Sequence, residues 1–510
     1  MSADAQDLDP VGRRPAPTAT GRSAEDLGWG LGAGHDAVTG PDPTRLPRLL
    51  AVAGREGLDD HWARLGPLPP RGTRRGGAGG SALVDVVEAS GLLGRGGAAF
   101  PTGRKLRATA EASLAIGNAP LVVVNAMEGE PASAKDRVLV QRSPHLVLDG
   151  ATAAAEALGA DEIVICVPRT DHTLSWAHEP RLHGERGDDR GIATEAAAHS
   201  LHRAVDERRR AGAERMAITV ARPPDSYVAG EASALVRWLG GGPALPAFRV
   251  VRSAQSGVSG APTLLDNAET FAHIGLIARF GAPWFRALGT PHDPGSALVT
   301  VSGAVARPGV AEIPLGATVG DVLAAAGGAT EEIQAFLLGG YGGRWLRADE
   351  AMDLPLGHSP VRVGGPRSGS PTPRTGAGLG PGIVVALPAR ACGLAETARV
   401  TNYLAGEGAR QCGPCAYGLP ALASALDVMA WPTTAGAVSG ASTRLVRWTG
   451  QIEGRGACGH PDGVVRLVKS ALRTFASDLE RHHRGAPCEH IGRPPVLPIP
   501  SVAPRPGDDG

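Results

Sequence analysis

PLVVVNAMEGEPASAKDR, residues 120–137, is the stretch on which the fold turns. Its first half is a short β-branched run, the pattern of a strand buried on both faces of a parallel sheet. Its second half drops directly into a polar, acidic loop. HLVLDGATAAAEALGA (145–160) follows as a helix that stops at Gly159. DEIVICVPR (161–169) then reads as the next strand, and AITVARPP (217–224) as another. ALVDVVEASGLL (82–93) and ASALVRWLGG (232–241) carry helical spacing. Strands alternating with helices predict a parallel sheet covered on both faces. In such sheets ligands sit at the carboxyl ends of strands, which is where the loop after Asn125 begins.

Outward from this core the pattern changes. Residues 1 to about 45 are rich in Gly, Pro, Asp and Thr without periodicity, which predicts a disordered tail. Leu46 to Leu65 carries one or two short helices, and PLPPRGTRRGGAGGS (67–81) reads as a linker. Residues 297–345 give a strand, a Pro-Gly turn, a second strand and a short helix, a small α+β unit. RSGSPTPRTGAGLGPG (367–382) is a second linker. Beyond it the helical stretches ETARVTNYLAGEG, GLPALASALDVMA and GVVRLVKSALRTFASDLERHH predict a bundle, and the Pro-rich end after Pro494 a second disordered tail.

Composition narrows the function. Lys+Arg and Asp+Glu are both 51, which argues against nucleic acid and anionic membrane surfaces as partners. MSADAQDLDP has no apolar segment of a secretory signal, and no run approaches the roughly 20 apolar residues of a membrane span, so a cytoplasmic protein without direct membrane insertion is expected. Six cysteines in 510 residues are too few for a disulfide scaffold and suggest metal or redox chemistry. Only Lys105, Lys135 and Lys469 are lysines, the other 48 cations being arginine. Two of the three fall in the segments 94–106 and 125–137, where a compact ammonium suits a point contact.

GLLGRGGAAFPTGRKL (91–106) concentrates Gly94, Gly96, Gly97 and Gly103. Such a loop brings main-chain N–H groups close to an anion, with Arg95 and Lys105 as positive charges and Phe100 as a flat face. An ordinary flexible loop has the same glycines, and the segment is not GxGxxG. In the acidic loop, Asn125, Glu128 and Glu130 offer hydrogen bonds to the polar edge of a ring or to sugar hydroxyls; a solvated turn is the alternative. Near Tyr227, Gly230 and Glu231, the plain alternative is a helix start that favours a carboxylate. Cys412, Cys415 and Cys458 have iron–sulfur spacing but are one short of four. Three readings stay open: a cluster completed by Cys392, Glu407 or His460, a three-iron cluster, or buried thiols. A CxxC dithiol pair is a fourth.

These motifs together resemble the NADH-binding FMN subunit of respiratory complex I, over roughly residues 80–480. The glycine loop is similar to GRGGAGFPTGxKW, departing at Ala99 and Leu106. NAMEGEPASAKDR (125–137) resembles NADESEPGTxKDR, with Met127 for an Asp. The Tyr227 segment resembles YxxGEETALL, with Ala232 for a second Glu, and the segment around Asn267 resembles GxPTTVNNVET, with Asp266 for an Asn. QCGPCAYG and QIEGRGAC resemble the cluster motifs, with Ala409 where the first Cys belongs. The resemblance implies a Rossmann-like α/β domain for FMN and NADH (81–285) after a tail with short helices (1–80). It implies a ubiquitin-like β-grasp domain of SLBB type (297–365), a helical 4Fe-4S domain (382–490) and a final tail (491–510). Gly94, Arg95, Gly96, Gly97, Phe100, Lys105, Asn125, Glu128, Glu130, Tyr227, Gly230, Glu231 and Asn267 would line the cofactor site, with Lys105 near the flavin phosphate or ring. Cys412, Cys415 and Cys458 would bind the cluster. Hydride would pass from NADH, or NADPH, to the flavin, and single electrons onward to a ferredoxin or other carrier subunit. A diaphorase-like subunit of another system and a non-catalytic scaffold are the rival readings.

Overall fold

The computed structural model describes residues 42–69, 81–170, 189–214, 216–248, 251–358, 378–432, 434–484, 490 and 493–500. The expected tail over 1–41, most of both linkers and Cys488 lie outside them. The helices in chain order are α1 (Leu58–Leu65), α2 (Ser81–Ser90), α3 (Thr102–Ile116), α4 (Lys135–Arg142), α5 (Pro144–Leu158), α6 (Asp189–Arg210), α7 (Ala232–Leu239) and α8 (Ala268–Arg286). They continue as α9 (Val319–Ala325), α10 (Ala348–Ala351), α11 (Gly393–Glu407), α12 (Leu419–Ala430), α13 (Ala435–Ile452), α14 (His460–Thr474) and α15 (Ala476–His483). The strands are β1 (Leu121–Asn125), β2 (Glu162–Cys166), β3 (Ala217–Ala221), β4 (Thr263–Asn267), β5 (Ser296–Gly303), β6 (Gly309–Pro314), β7 (Ile333–Leu338), β8 (Arg344–Arg347) and β9 (Ile383–Pro388).

The first sheet is parallel, in the order β3-β2-β1-β4, with Asn125 paired to both Cys166 and Asn267. Val122, Val123 and Val124 are all fully buried, as a β-branched run between two helical layers requires. Val122, Val124, Ile163, Ile165 and Leu264 join the core with α5 and α8, while Val123, Val164 and Leu265 pack with residues of α7 on the other face. Burying each such side chain contributes on the order of 1.5–3 kcal/mol. The sequence reading recognised β1, β2 and β3 but took 259–270 only as a motif, although it contains β4. The run TLLDN is short and ends in two polar residues, so neither period is visible.

The second sheet has the order β6-β5-β9-β7-β8, with β5 and β9 parallel and the other pairs antiparallel. Its central strand, β9, follows the second linker. The expected boundary, with the small domain ending at 365 and the helical one starting at 382, therefore cuts this sheet; the helices start at α11. The helical part runs from α11 to α15 with a π-helical turn over Pro414–Gly418. Among these, α13 was not read from the sequence.

The segment 46–65, expected to carry short helices, contains α1, and part of the expected C-terminal tail is ordered. Leu49, Leu50, Leu58 and Leu65 are buried, and the N–H groups of Arg48 and Leu49 donate to Glu312 Oε2, both at 2.7 Å. The buried His61 ring meets Glu56 at 3.1 Å and Asp149 at 2.6 Å, and Asp149 also binds Arg208 and Arg279. At the other end, Val496 and Leu497 donate their N–H groups to Glu396 at 3.0 Å each, and Tyr341 donates to Pro498 O.

The helix pair α5–α8 supports β1 and β4 from below, and glycine permits its closeness. A Cβ on Gly150 would lie 1.6 Å from Phe271 O, which is backbone and cannot swing away. Gly150→Ala is expected to destabilise the chain by about 3 kcal/mol or more through overpacking, seen as a lower midpoint of thermal unfolding.

Candidate functional site

The carboxyl ends of β1 and β4 bring the two lysine-bearing segments together. Gly94 N–H donates to Phe100 O at 2.9 Å, and Arg95 N–H to Thr270 Oγ1 at 2.9 Å, so residues 94–100 fold as a loop over the end of β4. Gly96, Gly97 and Ala98 are exposed at its crest. Among the described residues, no acceptor meets their three main-chain N–H groups. Gly97 has φ +95°, and a Cβ there would approach Pro381 N at 3.4 Å. Ala99 takes φ +51°, a left-handed conformation that costs a Cβ-bearing residue about 1–2 kcal/mol.

Not every predicted cation faces this cradle. The Arg95 guanidinium is 1% exposed and donates to Leu93 O at 3.2 Å and Ser296 O at 3.0 Å. It fixes the loop to β5 and is turned away from any phosphate. Lys105 Nζ remains at the rim, 23% exposed, bonded to Leu265 O at 3.0 Å and Asp266 Oδ2 at 2.9 Å. Phe100 is covered by Arg252, whose guanidinium lies 5.3 Å from the ring centroid.

The acidic loop is locked by its own charges. Glu128, with φ +39°, accepts from Ser133 Oγ at 2.8 Å, Asp136 N at 2.8 Å and Arg137 N at 3.2 Å. Its carboxylate thus caps the start of α4, a site rich in unpaired N–H groups, and is occupied there, away from sugar hydroxyls. Lys135 is buried and donates to Asp136 at 2.9 Å, Asn267 Oδ1 at 3.1 Å and Glu269 at 2.9 Å. Burial pushes this ammonium's pKa down, yet Asp136 and Glu269 outweigh it and hold it above the ordinary lysine value. Burial likewise works to raise Glu269, but Lys135, His273 and Arg95 hold it down at about 2. Asn267 Nδ2 donates to Asn125 O at 3.2 Å and Asp136 Oδ2 at 2.7 Å, so its amide serves the scaffold. Arg190, which the sequence reading did not single out, donates to the carbonyls of Glu128, Glu130 and Pro131 at 2.6–3.2 Å. It follows a polar stretch with no pattern to mark it.

Asn125 joins the loop to the Tyr227 segment: its Nδ2 donates to Gly230 O at 2.8 Å and its Oδ1 accepts from Met127 N at 3.1 Å. Gly230 lies against Met127, where a Cβ would come within 3.1 Å. Glu231 caps α7, accepting from Ser233 N at 2.8 Å and Ala234 N at 3.2 Å. Tyr227 stands where three parts of the chain meet. Its OH donates to Glu130 Oε2 at 3.2 Å, its N–H to Glu407 at 2.8 Å, and its ring lies 5.4 Å from His460 and 6.1 Å from Tyr403. Glu130 also accepts from Tyr341 N at 3.2 Å, while its Oε1 is buried without a partner among the described residues. Burial pushes its carboxyl up to about 7.

Cys412, Cys415 and Cys458 lie within electrostatic reach of one another, and burial raises the thiol pKa of Cys415 and Cys458. Loop 408–410 closes on Cys415, whose Sγ accepts from Arg410 N at 3.3 Å. Ala409 presents only a methyl group there. His460 Nε2 is bonded to Leu404 O at 2.8 Å, Glu407 holds Tyr227, and Cys392 caps α11 through Ala395 N at 3.4 Å. Among the described residues, no three His, Cys, Asp or Glu side chains converge on a point that one metal ion could fill. The donor set supplies three thiols to a cluster and does not fit four-thiolate binding. The glycine crest does fit a phosphate: at the sheet's carboxyl edge its three amides have no acceptor among the described residues.

Residues 87–276 match the family described as the Nuo51 FMN-binding domain, 298–340 the SLBB domain, and 395–482 the NADH-ubiquinone oxidoreductase-F iron-sulfur binding region. The F subunit of NADH-quinone oxidoreductase from Streptomyces coelicolor is 30% identical over 417 residues, 80% of this chain and 84% of that protein. Its counterpart in Mycobacterium bovis is 29% identical over 426 residues, 81% of this chain and 87% of that one. The alpha subunit of the NAD-reducing hydrogenase HoxS of Cupriavidus necator is 35% identical over 245 residues, 48% of this chain and 38% of its own length. Among solved structures, the NAD+-reducing [NiFe]-hydrogenase in its H2-reduced state aligns with a TM-score of 0.66 at 27% identity, over 84% of this chain and 66% of that chain.

Two outcomes follow from the geometry. Ala99→Gly is expected to raise stability by about 1 kcal/mol, measurable by denaturant unfolding. Glu130 has its folded pKa at about 7 against an ordinary 4.5, so the folded state keeps its proton longer. Its effect on stability therefore falls as pH rises from 4.5 to about 7 and stays low above, by at most about 3 kcal/mol. Glu130→Gln is expected to lose less stability than wild type between pH 5 and about 8 in paired thermal melts.

Proposed function

As this chain belongs to the family of NADH-quinone oxidoreductase F subunits, we propose that it oxidises NADH on FMN held at the carboxyl ends of β1 and β4. The reading is carried by the crest of the glycine loop, whose amides at 96–98 are exposed and have no acceptor among the described residues. FMN held there would supply the hydride acceptor for NADH and the means of releasing electrons one at a time. The chain's residues bind and orient. The amides at 96–98 would hold the phosphate, and the Asn125–Gly230 link would form a wall for the ring. Phe100, with Arg252 over it, would face the nicotinamide. Ala232 stands where the motif it resembles has a second carboxylate after Glu231. Lys135, Glu128 and Arg190 keep the acidic loop rigid so that the pocket does not reorganise on binding. No side chain is required as a general acid or base.

The relatives are subunits by name, and we read this chain as working beside partner subunits, with a ferredoxin-like carrier as the acceptor. No described helix is long and apolar enough to cross a membrane. A second reading draws on Ala409: the chain serves as a diaphorase-like subunit whose onward electrons do not use a four-iron cluster. Iron and acid-labile sulfide counts on anaerobically purified protein separate the two, the second expecting fewer than four irons per chain.

Titration of FMN into flavin-free protein is expected to saturate at one per chain and to confer NADH:ferricyanide reduction. Gly97→Val, which adds a branched side chain at φ +95° against Pro381, is expected to lower bound flavin at least tenfold. Full flavin occupancy in that variant would refute the assignment.

A further inference from the structure

Resting on the flavin assignment above, we propose that Asp266 is a specificity-determining residue: it cancels the one lysine ammonium at the rim of the cradle, so that the site distinguishes only weakly between FMN and unphosphorylated riboflavin. Asp266 Oδ2 lies 2.9 Å from Lys105 Nζ, and Asp266 Oδ1 accepts from Asn267 N at 3.0 Å. The carboxylate is therefore held from both sides. It also borders the glycine loop, 3.3 Å from the point that a Cβ on Gly94 would occupy. Its backbone belongs to β4, where it pairs with Val124 of β1.

The remaining charges nearby do not compensate. Arg95 is turned to Ser296 O, Lys135 is shut inside its cluster with Asp136 and Glu269, Arg104 is exposed on α3, and Arg252 covers Phe100. A flavin phosphate carries about −1.5 to −2 charges at neutral pH. An isolated ammonium beside three amides would favour it strongly. Here the ammonium and carboxylate stand together, and their fields largely cancel a few ångströms away. If Lys105 left to meet the phosphate, Asp266, 4% exposed, would stay buried without its partner, which is costly. The phosphate is left with the amide dipoles alone.

The test is a pair of fluorescence-quenching titrations of flavin-free protein, one with FMN and one with riboflavin, on wild type, Asp266→Asn and Lys105→Gln, each first checked for monodisperse elution and an unchanged circular dichroism spectrum. Wild type is expected to prefer FMN over riboflavin by less than about tenfold. Asp266→Asn is expected to increase that preference by about tenfold or more, with a steeper dependence on salt and little change in riboflavin binding. Lys105→Gln is expected to lower the preference, because the carboxylate then faces the phosphate unopposed. An Asp266→Asn preference equal to that of wild type overturns the inference while the flavin site stands. Should Asp266→Asn fail to fold, an undiminished preference in Lys105→Gln overturns it instead. Wild-type protein that binds neither flavin overturns the site itself and this inference with it.

Discussion

One buried ammonium holds the site together. Lys135 binds Asp136 of its own helix, Asn267 at the end of β4, and Glu269 in the first turn of α8. Glu269 in turn accepts Leu298 N of β5 at 2.9 Å, and Asn267 donates to Asn125 O of β1. A single charge thereby joins the acidic loop, two parallel strands, a helix and the second sheet. Removing one member of such a set leaves the others charged and buried, which costs several kcal/mol. The stored benefit is rigidity: the carboxyl edge of β1 and β4 is fixed before any ligand arrives.

The same logic of shared carboxylates runs across the other seams. Glu130 and Glu407 grip Tyr227 from two sides, so the flavin region, the small sheet through Tyr341, and the helices share one buried junction. Glu396 anchors residues 496–497 to α11, and Glu312 anchors residues 48–49 to β6. Residues 496–497 looked disordered in the sequence because that end is Pro-rich, whereas their order comes from main-chain N–H groups meeting a distant carboxylate. Composition carries no trace of such contacts.

What was legible and what was not divides along a physical line. The β-branched run 121–125 and the helix stopping at Gly159 announced the parallel sheet through local pattern alone. β4 was not legible because its run, TLLDN, is short and ends in two polar residues. In the site, the glycine crest could be read from density of glycines. The orientation of charges could not: Arg95 and Glu128 look like ligand-binding groups in sequence and serve the scaffold in space. Arg190, which clamps the acidic loop, left no signal. Ala99 and Ala409 were visible as departures from the family pattern, and the structure supplies their meaning, a left-handed backbone at one and a missing thiolate at the other.

The account rests on where a flavin sits, so the most direct measurement is an experimental structure of the protein loaded with FMN. The account predicts the phosphate within hydrogen-bond distance of the N–H groups of residues 96–98, and the ring system against the wall that Asn125 and Gly230 form together. A flavin found elsewhere on the chain, or a glycine crest that meets only solvent when flavin is bound, would contradict it.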